Sequence, residues 1–289
     1  MVSNATELQS ALSSAAPGMR IDLAPGTYSG NFVTKQSGAS GTPITLCGPR
    51  TAILDGGDIS SGYTLYLNGA SWWILKGFTV QDGQKGVVTD HAQHNIISGL
   101  LVQNIGDEGI HLRSASSNNI VEGVTVRNTG LHDTKYGEGI YVGSAVKNWC
   151  LYSDCGPDRS DDNIIRNNTI SNTTAENIDI KEGTTGGMIV DNHLSGVGMV
   201  ASAATAWINV KGNGWTVKGN VGAVSLEDGF QVHQILSGWG LDNVFEANTA
   251  TVDAPGYGIY VQSSSLGTVV ACNNVAINAG SGLSNIPCT

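Results

Sequence analysis

The sequence has few charged and few aromatic residues for its length, and basic residues are scarcer than acidic ones. Of 289 residues, 13% are charged and 6% are aromatic, and 14 Lys and Arg stand against 24 Asp and Glu, which gives a net charge of −10. Nucleic-acid binding needs clustered Lys and Arg, and a membrane span needs a long apolar run that is missing here. We therefore expect a protein that binds neither nucleic acid nor a membrane. We also expect it to be a monomer.

Cysteine is also scarce, and its placement bears on the compartment. The chain begins Met-Val-Ser-Asn without an apolar signal stretch, and it contains five cysteines. Cys150 lies close to Cys155 in a polar segment, and Cys272 and Cys288 could tie the C-terminal tail to the last coil, which leaves Cys47 as a buried thiol. The pattern predicts two disulfides and a secreted protein. The alternative is a cytosolic protein with five reduced cysteines.

A short phrase that recurs along the chain determines the expected fold. Residues 108–113 read Glu-Gly-Ile-His-Leu-Arg, and related phrases stand at 138–143, 176–181 and 228–233. A coil of about 22–30 residues with three short strands is typical of a right-handed parallel β-helix. A leucine-rich repeat would need a Leu-x-x-Leu-x-Leu frame that this chain lacks. We therefore expect an all-β parallel β-helix, a solenoid that forms a single domain over residues 1–289.

Three segments depart from the repeat. Residues 5–16 place Leu8 and Leu12 on one helical face before Pro17-Gly18, which predicts a short helix that caps the first coil. Residues 144–162 form a polar loop insertion, which could close one end of a groove or act as a local calcium clip. Residues 273–289 form a C-terminal tail.

A run of Asn at one corner of successive coils predicts an internal hydrogen-bonded ladder of side-chain amides. The column holds apolar residues in the first coils and Asn in the later ones: Phe78, Leu100, Val124, Asn168, Asn192, Asn220, Asn248 and Asn274.

Alternation within the repeated strand directs Ile and Leu inward and the polar residues outward, so that equivalent outward residues form ladders along the axis. The central ladder is Val88, His111, Tyr141, Asp179, Asn209, Gln231 and Tyr260. The cationic ladder is Asp90, Arg113, Gly143, Lys181, Lys211, His233 and Gln262. The acidic ladder is Glu108, Glu138, Glu176, Ala206 and Asp228.

The charges in these ladders predict a site. Stacked Lys and Arg repel one another, so they need counter-charges or an anionic ligand. The stacked carboxylates Glu108, Glu138 and Glu176 either share a Ca²⁺ ion or form salt bridges with the cationic ladder. Either arrangement makes this face a candidate functional site.

The chain resembles the β-helical polysaccharide lyases that cleave uronic-acid polymers. The likeness rests on residues 24–30 (Ala-Pro-Gly-Thr-Tyr-Ser-Gly), residues 41–46 (Gly-Thr-Pro-Ile-Thr-Leu) and the coil order, and it is greatest to the family 6 alginate lyase and chondroitinase B group, with the family 9 pectate lyases next. Glu176 and Lys181 match a calcium-binding Glu and a Lys of family 6. Lys211 stands where that family has Arg, and Thr174 stands where it has a second Glu. The resemblance implies a lyase that binds an acidic polysaccharide, with Ca²⁺ as a candidate cofactor.

β-Elimination from a uronate needs a base for the C5 proton, a neutralised carboxylate and a proton donor for the leaving oxygen. We assign Lys181 as the base, since we expect neighbouring Lys211 to lower its pKa. Lys211 and Arg113, or Ca²⁺, would neutralise the carboxylate, and His233 or Tyr141 would donate the proton. The expected substrate-binding residues are Arg113, His111, Tyr141, Asp179, Asn209, Gln231 and Tyr260, and the expected metal ligands are Glu108, Glu138 and Glu176.

Two other functions fit a polar β-helix face. A glycoside hydrolase or fructan transferase would use Glu176, Asp179 or Asp228 as its carboxylate pair. A non-catalytic carbohydrate-binding β-helix would line its groove with exposed aromatics, of which Trp207 is the best placed.

Overall fold

The short alternating segments of the sequence form strands that stack in register from coil to coil. In the computed structural model, which describes all 289 residues, thirty strands form three parallel sheets of ten strands each. Each strand pairs with the strand three places further along the chain, so the chain winds as a right-handed parallel β-helix, as expected. The structure contains no helix that is both long and apolar enough to cross a bilayer.

The first sheet consists of β1 (Arg20–Asp22), β4 (Ile44–Cys47), β7 (Trp73–Lys76), β10 (Ile96–Ser98), β13 (Ile120–Glu122), β16 (Ile164–Arg166), β19 (Met188–Val190), β22 (Thr216–Lys218), β25 (Val244–Glu246) and β28 (Val269–Val270). The second consists of β2 (Gly26–Ser29), β5 (Ala52–Asp55), β8 (Thr79–Gln81), β11 (Leu101–Gln103), β14 (Thr125–Arg127), β17 (Thr169–Ser171), β20 (His193–Ser195), β23 (Val221–Ala223), β26 (Thr249–Ala254) and β29 (Val275–Ala279).

The third sheet carries the repeated phrase. It consists of β3 (Phe32–Thr34), β6 (Tyr63–Asn68), β9 (Lys85–Asp90), β12 (Ile110–Arg113), β15 (Ile140–Val142), β18 (Ile178–Ile180), β21 (Ile208–Val210), β24 (Phe230–Val232), β27 (Tyr257–Val261) and β30 (Gly282–Ser284). The last strands of the second and third sheets lie within residues 273–289, so the predicted tail itself completes the solenoid.

The inward residues of the three sheets form one continuous core along the axis. In the third sheet, Ile110 and Leu112 are fully buried and stack on Ile140 and Val142 of the next coil. The same alternation continues through β18, β21 and β24, so each coil covers the apolar surface of the one before it.

A short helix covers the N-terminal end of this core. Helix α1 spans Ala5–Ser13, and the side chain of Asn4 accepts a hydrogen bond from the Glu7 amide at 3.0 Å, which caps its first turn. Leu8 and Leu12 are fully buried. The expected capping helix is therefore present, and it ends three residues earlier than the predicted 5–16 because Ser14 already leaves the helical conformation.

The corner between the first and second sheets is held by the expected Asn ladder. The Asn192 side chain accepts hydrogen bonds from the backbone amide and side-chain amide of Asn168, and it donates to Ile165 and Asn220. The residue before seven of the eight ladder positions has a left-handed backbone, as at Gly99 (φ 63°) and Asn167 (φ 56°). Gly and Asn tolerate this region best, and they occupy five of these seven positions.

A second Asn ladder was not predicted. Asn163 accepts hydrogen bonds from the backbone and side chain of Asn119, which accepts in turn from Asn95. Asn95 and Asn119 are 24 residues apart, but Asn119 and Asn163 are 44 apart because residues 144–162 lie between them. This uneven spacing hides the register in the sequence.

Both predicted disulfides are present. Cys150 is bonded to Cys155 and Cys272 to Cys288, while Cys47 is a buried free thiol. The first disulfide lies in the insertion, which also contains α2 (Trp149–Tyr152) and one short 3₁₀ helix (Val146–Asn148). Two further 3₁₀ helices span Thr134–Tyr136 and Ser264–Leu266.

Candidate active site

The outer face of the third sheet carries a cleft with an unusual share of the chain's positive charge. The cleft has a volume of about 710 Å³. Six of the 14 Lys and Arg of the chain line it: Lys85, Arg113, Lys135, Lys147, Lys181 and Lys211. Five carboxylates line it as well: Asp107, Glu108, Glu138, Glu176 and Asp179. Cations therefore outnumber carboxylates in the cleft, whereas the whole chain has a net charge of −10, and this local balance favours an anionic ligand.

The strand register agrees with the predicted ladders. His111 pairs with Val88 on one side and Tyr141 on the other, and Asp179, Asn209, Gln231 and Tyr260 follow in successive coils. The central ladder is therefore continuous over seven coils. It forms the floor of the cleft from His111 to Asn209.

Three loops form the walls of the cleft. They contribute Lys135 and Tyr136, the 144–152 part of the insertion, and Ser202 with Ala203. Because these loops cover the floor, side chains that point away from the coil interior are nevertheless buried; Asp179 is 1% and Lys211 7% exposed. The low local dielectric strengthens every charge interaction among them.

Asp179 is held between the two lysines of the cationic ladder. Its Oδ2 lies 2.6 Å from Lys181 Nζ and its Oδ1 lies 2.6 Å from Lys211 Nζ. Burial acts to raise the pKa of Asp179, but both lysines outweigh it and hold this pKa below its ordinary value. The carboxylate is therefore charged and fixes both ammonium groups.

The expectation of a lowered Lys181 pKa was wrong. Burial acts in that direction, but Asp179, and after it Tyr141 and Glu138, raise the pKa of Lys181 well above its usual range. The sequence showed Lys211 one coil away and did not show that Asp179 lies against both lysines. Lys181 therefore carries its proton at neutral pH.

The acidic ladder divides into two parts. Glu108 forms an ion pair with Lys85, a residue that was not predicted to belong to the site. Glu138 has no such partner, and burial, followed by the charges of Glu108 and Asp179, raises its pKa well above the ordinary value. Glu176 accepts a hydrogen bond from Asn209 Nδ2 at 3.1 Å and lies 3.8 Å from Lys211 Nζ.

A group of three buried carboxylates could hold a metal ion by spacing alone. Oxygens of Glu138, Glu176 and Asp179 lie within 4.8 Å of one another, so the group contains two of the three expected ligands, with Asp179 in place of Glu108. Both Asp179 oxygens already contact ammonium groups, however, and Ca²⁺ there would lie against two positive charges. The observed lysine positions do not fit a calcium ion. Thr174, at the place of a second Glu, bonds instead to the Thr134 carbonyl.

Tyr141 and His111 pack together at the centre of the floor. Their rings meet edge to face at 4.3 Å, and Lys181 Nζ lies 4.9 Å from the Tyr141 ring centre. Burial raises the pKa of Tyr141 well above its usual range, although Lys181 opposes this effect. Burial, aided by Arg113 and Lys85, holds the pKa of His111 well below its ordinary value, so its ring is neutral and Nε2–H donates to the Gly143 carbonyl at 2.9 Å.

Arg113 lies at one end of the cleft and is largely committed to protein partners. Its Nε and Nη2 donate to Asp90 at 2.7 and 3.1 Å, and Nη2 also donates to the Tyr63 hydroxyl. The guanidinium carbon lies 4.1 Å from the Tyr152 ring centre. Only Nη1 lacks a hydrogen-bond partner, so Arg113 offers less to a ligand than the sequence indicated.

Three predicted site residues lie outside the main cleft. His233, Gln231 and Tyr260 line a neighbouring cavity of about 400 Å³. His233 Nδ1 lies 3.0 Å from Asn209 Oδ1, which connects the two cavities. Its position makes His233 a poorer proton donor than Tyr141 for chemistry at Lys181.

The carboxylates of the hydrolase alternative are not available as a pair. Asp179 is neutralised by two lysines, and Asp228 accepts hydrogen bonds from the Tyr257 amide and from Gln231 Nε2 in the neighbouring cavity. The aromatic-groove alternative lacks its best candidate, since Trp207 is fully buried against Phe230.

The insertion forms a wall of the cleft, and a calcium clip is not supported. Asp158 is fully buried, and its oxygens accept hydrogen bonds from the amides of Ser114 and Ala115 and the hydroxyls of Ser144 and Ser160. With these donors in place, Asp158 anchors the insertion to the coil beneath Arg113.

Comparison with known proteins identifies relatives of the whole chain. The family model described as periplasmic copper-binding protein (NosD) matches residues 49–221. None of the curated proteins matches the sequence. The crystal structure of an alginate lyase from Paenibacillus sp. str. FPU-7 is similar with 35% identity and a TM-score of 0.91, over 98% of this chain and 97% of that one.

Two more distant structures share the fold. Pectate lyase Pel9A is 18% identical with a TM-score of 0.72, over 96% of this chain and 72% of that one. A mannuronic acid specific family 6 polysaccharide lyase from human gut microbiota is 11% identical with a TM-score of 0.59, over 100% and 77% of the two chains.

Proposed function

Since the chain belongs to the β-helical polysaccharide lyases, and through residues 49–221 to the NosD family, we propose that it cleaves an alginate-type polyuronate by β-elimination. The observation that carries the proposal is the pairing of Lys181 and Lys211 around Asp179, beside Tyr141, in a cleft that concentrates positive charge. Carboxylates of a polyuronate are the counter-charges that such a cleft attracts. The alginate lyase relative supports alginate as the polymer.

In the proposed reaction, Lys181 and Tyr141 transfer the protons. The neutral Lys181 amine accepts the C5 proton of the uronate while the C4–O4 bond breaks, a C4–C5 double bond forms and the Tyr141 hydroxyl protonates the departing O4. The Lys211 ammonium stabilises the negative charge that develops on the uronate carboxylate. Each elimination leaves Lys181 protonated and Tyr141 ionised, and proton exchange with solvent restores both.

The raised pKa values predict an alkaline enzyme. Lys181 acts as a base only when it is neutral, and its raised pKa makes this form scarce at pH 7. Each pH unit below that pKa lowers the neutral fraction about ten-fold. Tyr141 keeps its proton at alkaline pH because its own pKa is raised. The rate is therefore expected to rise steadily from neutral to alkaline pH.

Neither calcium nor copper is assigned a role in this proposal. Ca²⁺, when bound in related lyases, would neutralise the substrate carboxylate, and Lys211 supplies that charge here. Copper prefers imidazole and sulfur ligands. The single group of three close potential ligands in the chain contains only carboxylates, so the copper binding of the NosD description is not carried over.

The setting proposed for the enzyme is extracellular. Two disulfides require an oxidising compartment, and a polymeric acidic polysaccharide is met outside the cell. These observations support secretion.

A panel of uronate polymers tests the proposal. We expect an increase in ultraviolet absorbance from unsaturated products with alginate, and loss of that increase in Lys181→Ala. Lys218→Ala is the matched control, because Lys218 forms an exposed ion pair with Glu246 away from the cleft. Near-normal turnover by folded Lys181→Ala would refute the assignment of the base.

A further inference from the structure

A second cavity continues the active-site face toward the C-terminal end of the solenoid. The central ladder runs without a break from Asn209, in the main cleft, to Gln231 and Tyr260 in the next two coils. With about 4.8 Å between coils, the second cavity lies about 10–15 Å along the axis from Lys181. A polymer bound parallel to the axis therefore reaches it.

The walls of this cavity offer aromatic surface. The rings of Tyr257 and Tyr260 are stacked at 6.4 Å with an angle of 29° between their planes, and the His233 ring lies 5.9 Å from Tyr260. Both tyrosines are half-buried, so each presents part of its ring to the cavity. Aromatic rings of this kind pack against apolar surfaces while their hydroxyls keep polar partners, and a pyranose ring has one apolar face and a rim of hydroxyls.

The charge of the cavity is opposite to that of the main cleft. No Lys or Arg lines it, and two carboxylates do, those of Glu227 and Asp228. Each Asp228 oxygen accepts a hydrogen bond, one from the Tyr257 amide at 2.6 Å and one from Gln231 Nε2 at 2.8 Å, so the side chain is fixed within the wall. Glu227 is exposed. A uronate carboxylate directed into this cavity would meet like charge without a compensating cation.

We propose that this cavity is a distal subsite that binds a sugar ring of the same polymer by its apolar face and hydroxyl groups and does not recognise its carboxylate. The proposal rests on the proposed function, since the main cleft supplies the bond that is cut. It assigns recognition of uronate charge to the main cleft alone. The distal cavity then adds affinity for longer chains and tolerates an uncharged sugar.

Chain-length dependence provides the first test. We measure kcat and KM for oligomannuronates from trimer to octamer with the wild-type enzyme, Tyr260→Ala and Tyr260→Phe. Loss of one stacking surface is expected to raise KM for the longest oligomers by about two- to ten-fold relative to the trimer, with kcat little affected. Tyr260→Phe keeps the ring and is expected to restore most of the affinity. Equal effects on short and long oligomers would overturn the proposal.

Carboxyl-reduced oligomers provide the second test. Two octamannuronates, one with its non-reducing-end unit and one with its reducing-end unit reduced to neutral mannose, are compared with the native octamer by calorimetric binding to the Lys181→Ala variant. The affinity of one of the two is expected to lie within about two-fold of that of the native octamer. Tyr260→Ala in the same background is expected to abolish the extra affinity that the native octamer has over the hexamer. Marked weakening for both reduced octamers would overturn the proposal. Because binding is measured without turnover, failure of the lyase reaction would be seen separately, as absence of unsaturated product from the wild-type enzyme.

Discussion

Replacement of Asp179 by Asn tests how the active-site charges are arranged. The side chain is 1% exposed and contacts ammonium groups of Lys181 and Lys211 at 2.6 Å each. Removal of one partner from a buried ion pair costs about 3–5 kcal/mol, because the remaining charges stay buried without compensation. At about 2 °C per kcal/mol for a chain of this size, the melting temperature is expected to fall by about 6–10 °C.

The same substitution is expected to change the pH dependence of catalysis. Asp179 is the main charge that raises the pKa of Lys181; without it, burial acts to lower that pKa against only the smaller effects of Tyr141 and Glu138. Loss of a close opposite charge moves a pKa by about 1–3 units, so the acid limb of the pH–rate profile should move to lower pH by a comparable amount. The wild-type rate should still be rising at the alkaline end of the range, whereas the rate of the variant should bend toward a plateau at a lower pH. This difference in shape is seen even if the maximal rate falls.

The assays are thermal unfolding and initial rates of ultraviolet absorbance increase across pH 6–10. Glu122→Gln is the matched control, since Glu122 pairs with Arg166 at 2.6 Å on the surface and its loss is expected to cost less than about 1 kcal/mol. Lys211→Met added to Asp179→Asn should recover part of the lost stability, because it removes one of the uncompensated charges. An Asp179→Asn variant as stable as the control, or with an unmoved acid limb, would refute the reasoning.

Three further outcomes are expected. The pKa of Glu138 is raised above its ordinary value of 4.5, so the contribution of Glu138 to folding stability is fully present below pH 4.5 and declines as pH rises toward the raised pKa. Glu138→Gln should therefore gain stability relative to the wild type as pH rises in thermal scans. A stability difference that stays constant with pH would contradict this. Treatment with a calcium chelator should leave activity unchanged, because the Asp179 oxygens are bound by lysines; loss of activity that added Ca²⁺ restores would show that the lysines move aside. Asn192→Ala should cost about 3 kcal/mol in denaturant unfolding, since it leaves Asn168 and Ile165 groups without partners. Asn31→Ala, at an exposed position without a left-handed backbone, should cost less than about 1 kcal/mol.

The coil register was predictable because it depends on local periodicity. Alternation of apolar and polar residues defines the inward set in each repeat, and the repeated phrase aligns one coil with the next. His111, Tyr141 and Asp179 were therefore assigned to one ladder correctly from the sequence. The second Asn ladder was missed because the insertion separates Asn119 from Asn163.

The charge states were not predictable, since they depend on side-chain contacts between coils. Lys181 and Lys211 are neighbours in the sequence register, but Asp179 lies against both, and its charge raises the pKa of Lys181 against the effect of burial. The walls were missed for a related reason. Tyr136 and Tyr152 come from segments that carry no repeat signal, and only the folded chain brings them to the cleft.

The mass balance of the digest tests the central claim most directly. The enzyme is incubated with a defined oligomannuronate in ¹⁸O-water, and the products are weighed by mass spectrometry. Elimination predicts fragments whose masses add up to that of the substrate, with one unsaturated end per cut and no ¹⁸O incorporated at the cleaved bond. Saturated fragments that have gained one water per cut, labelled at the new end, would show hydrolysis and contradict the account.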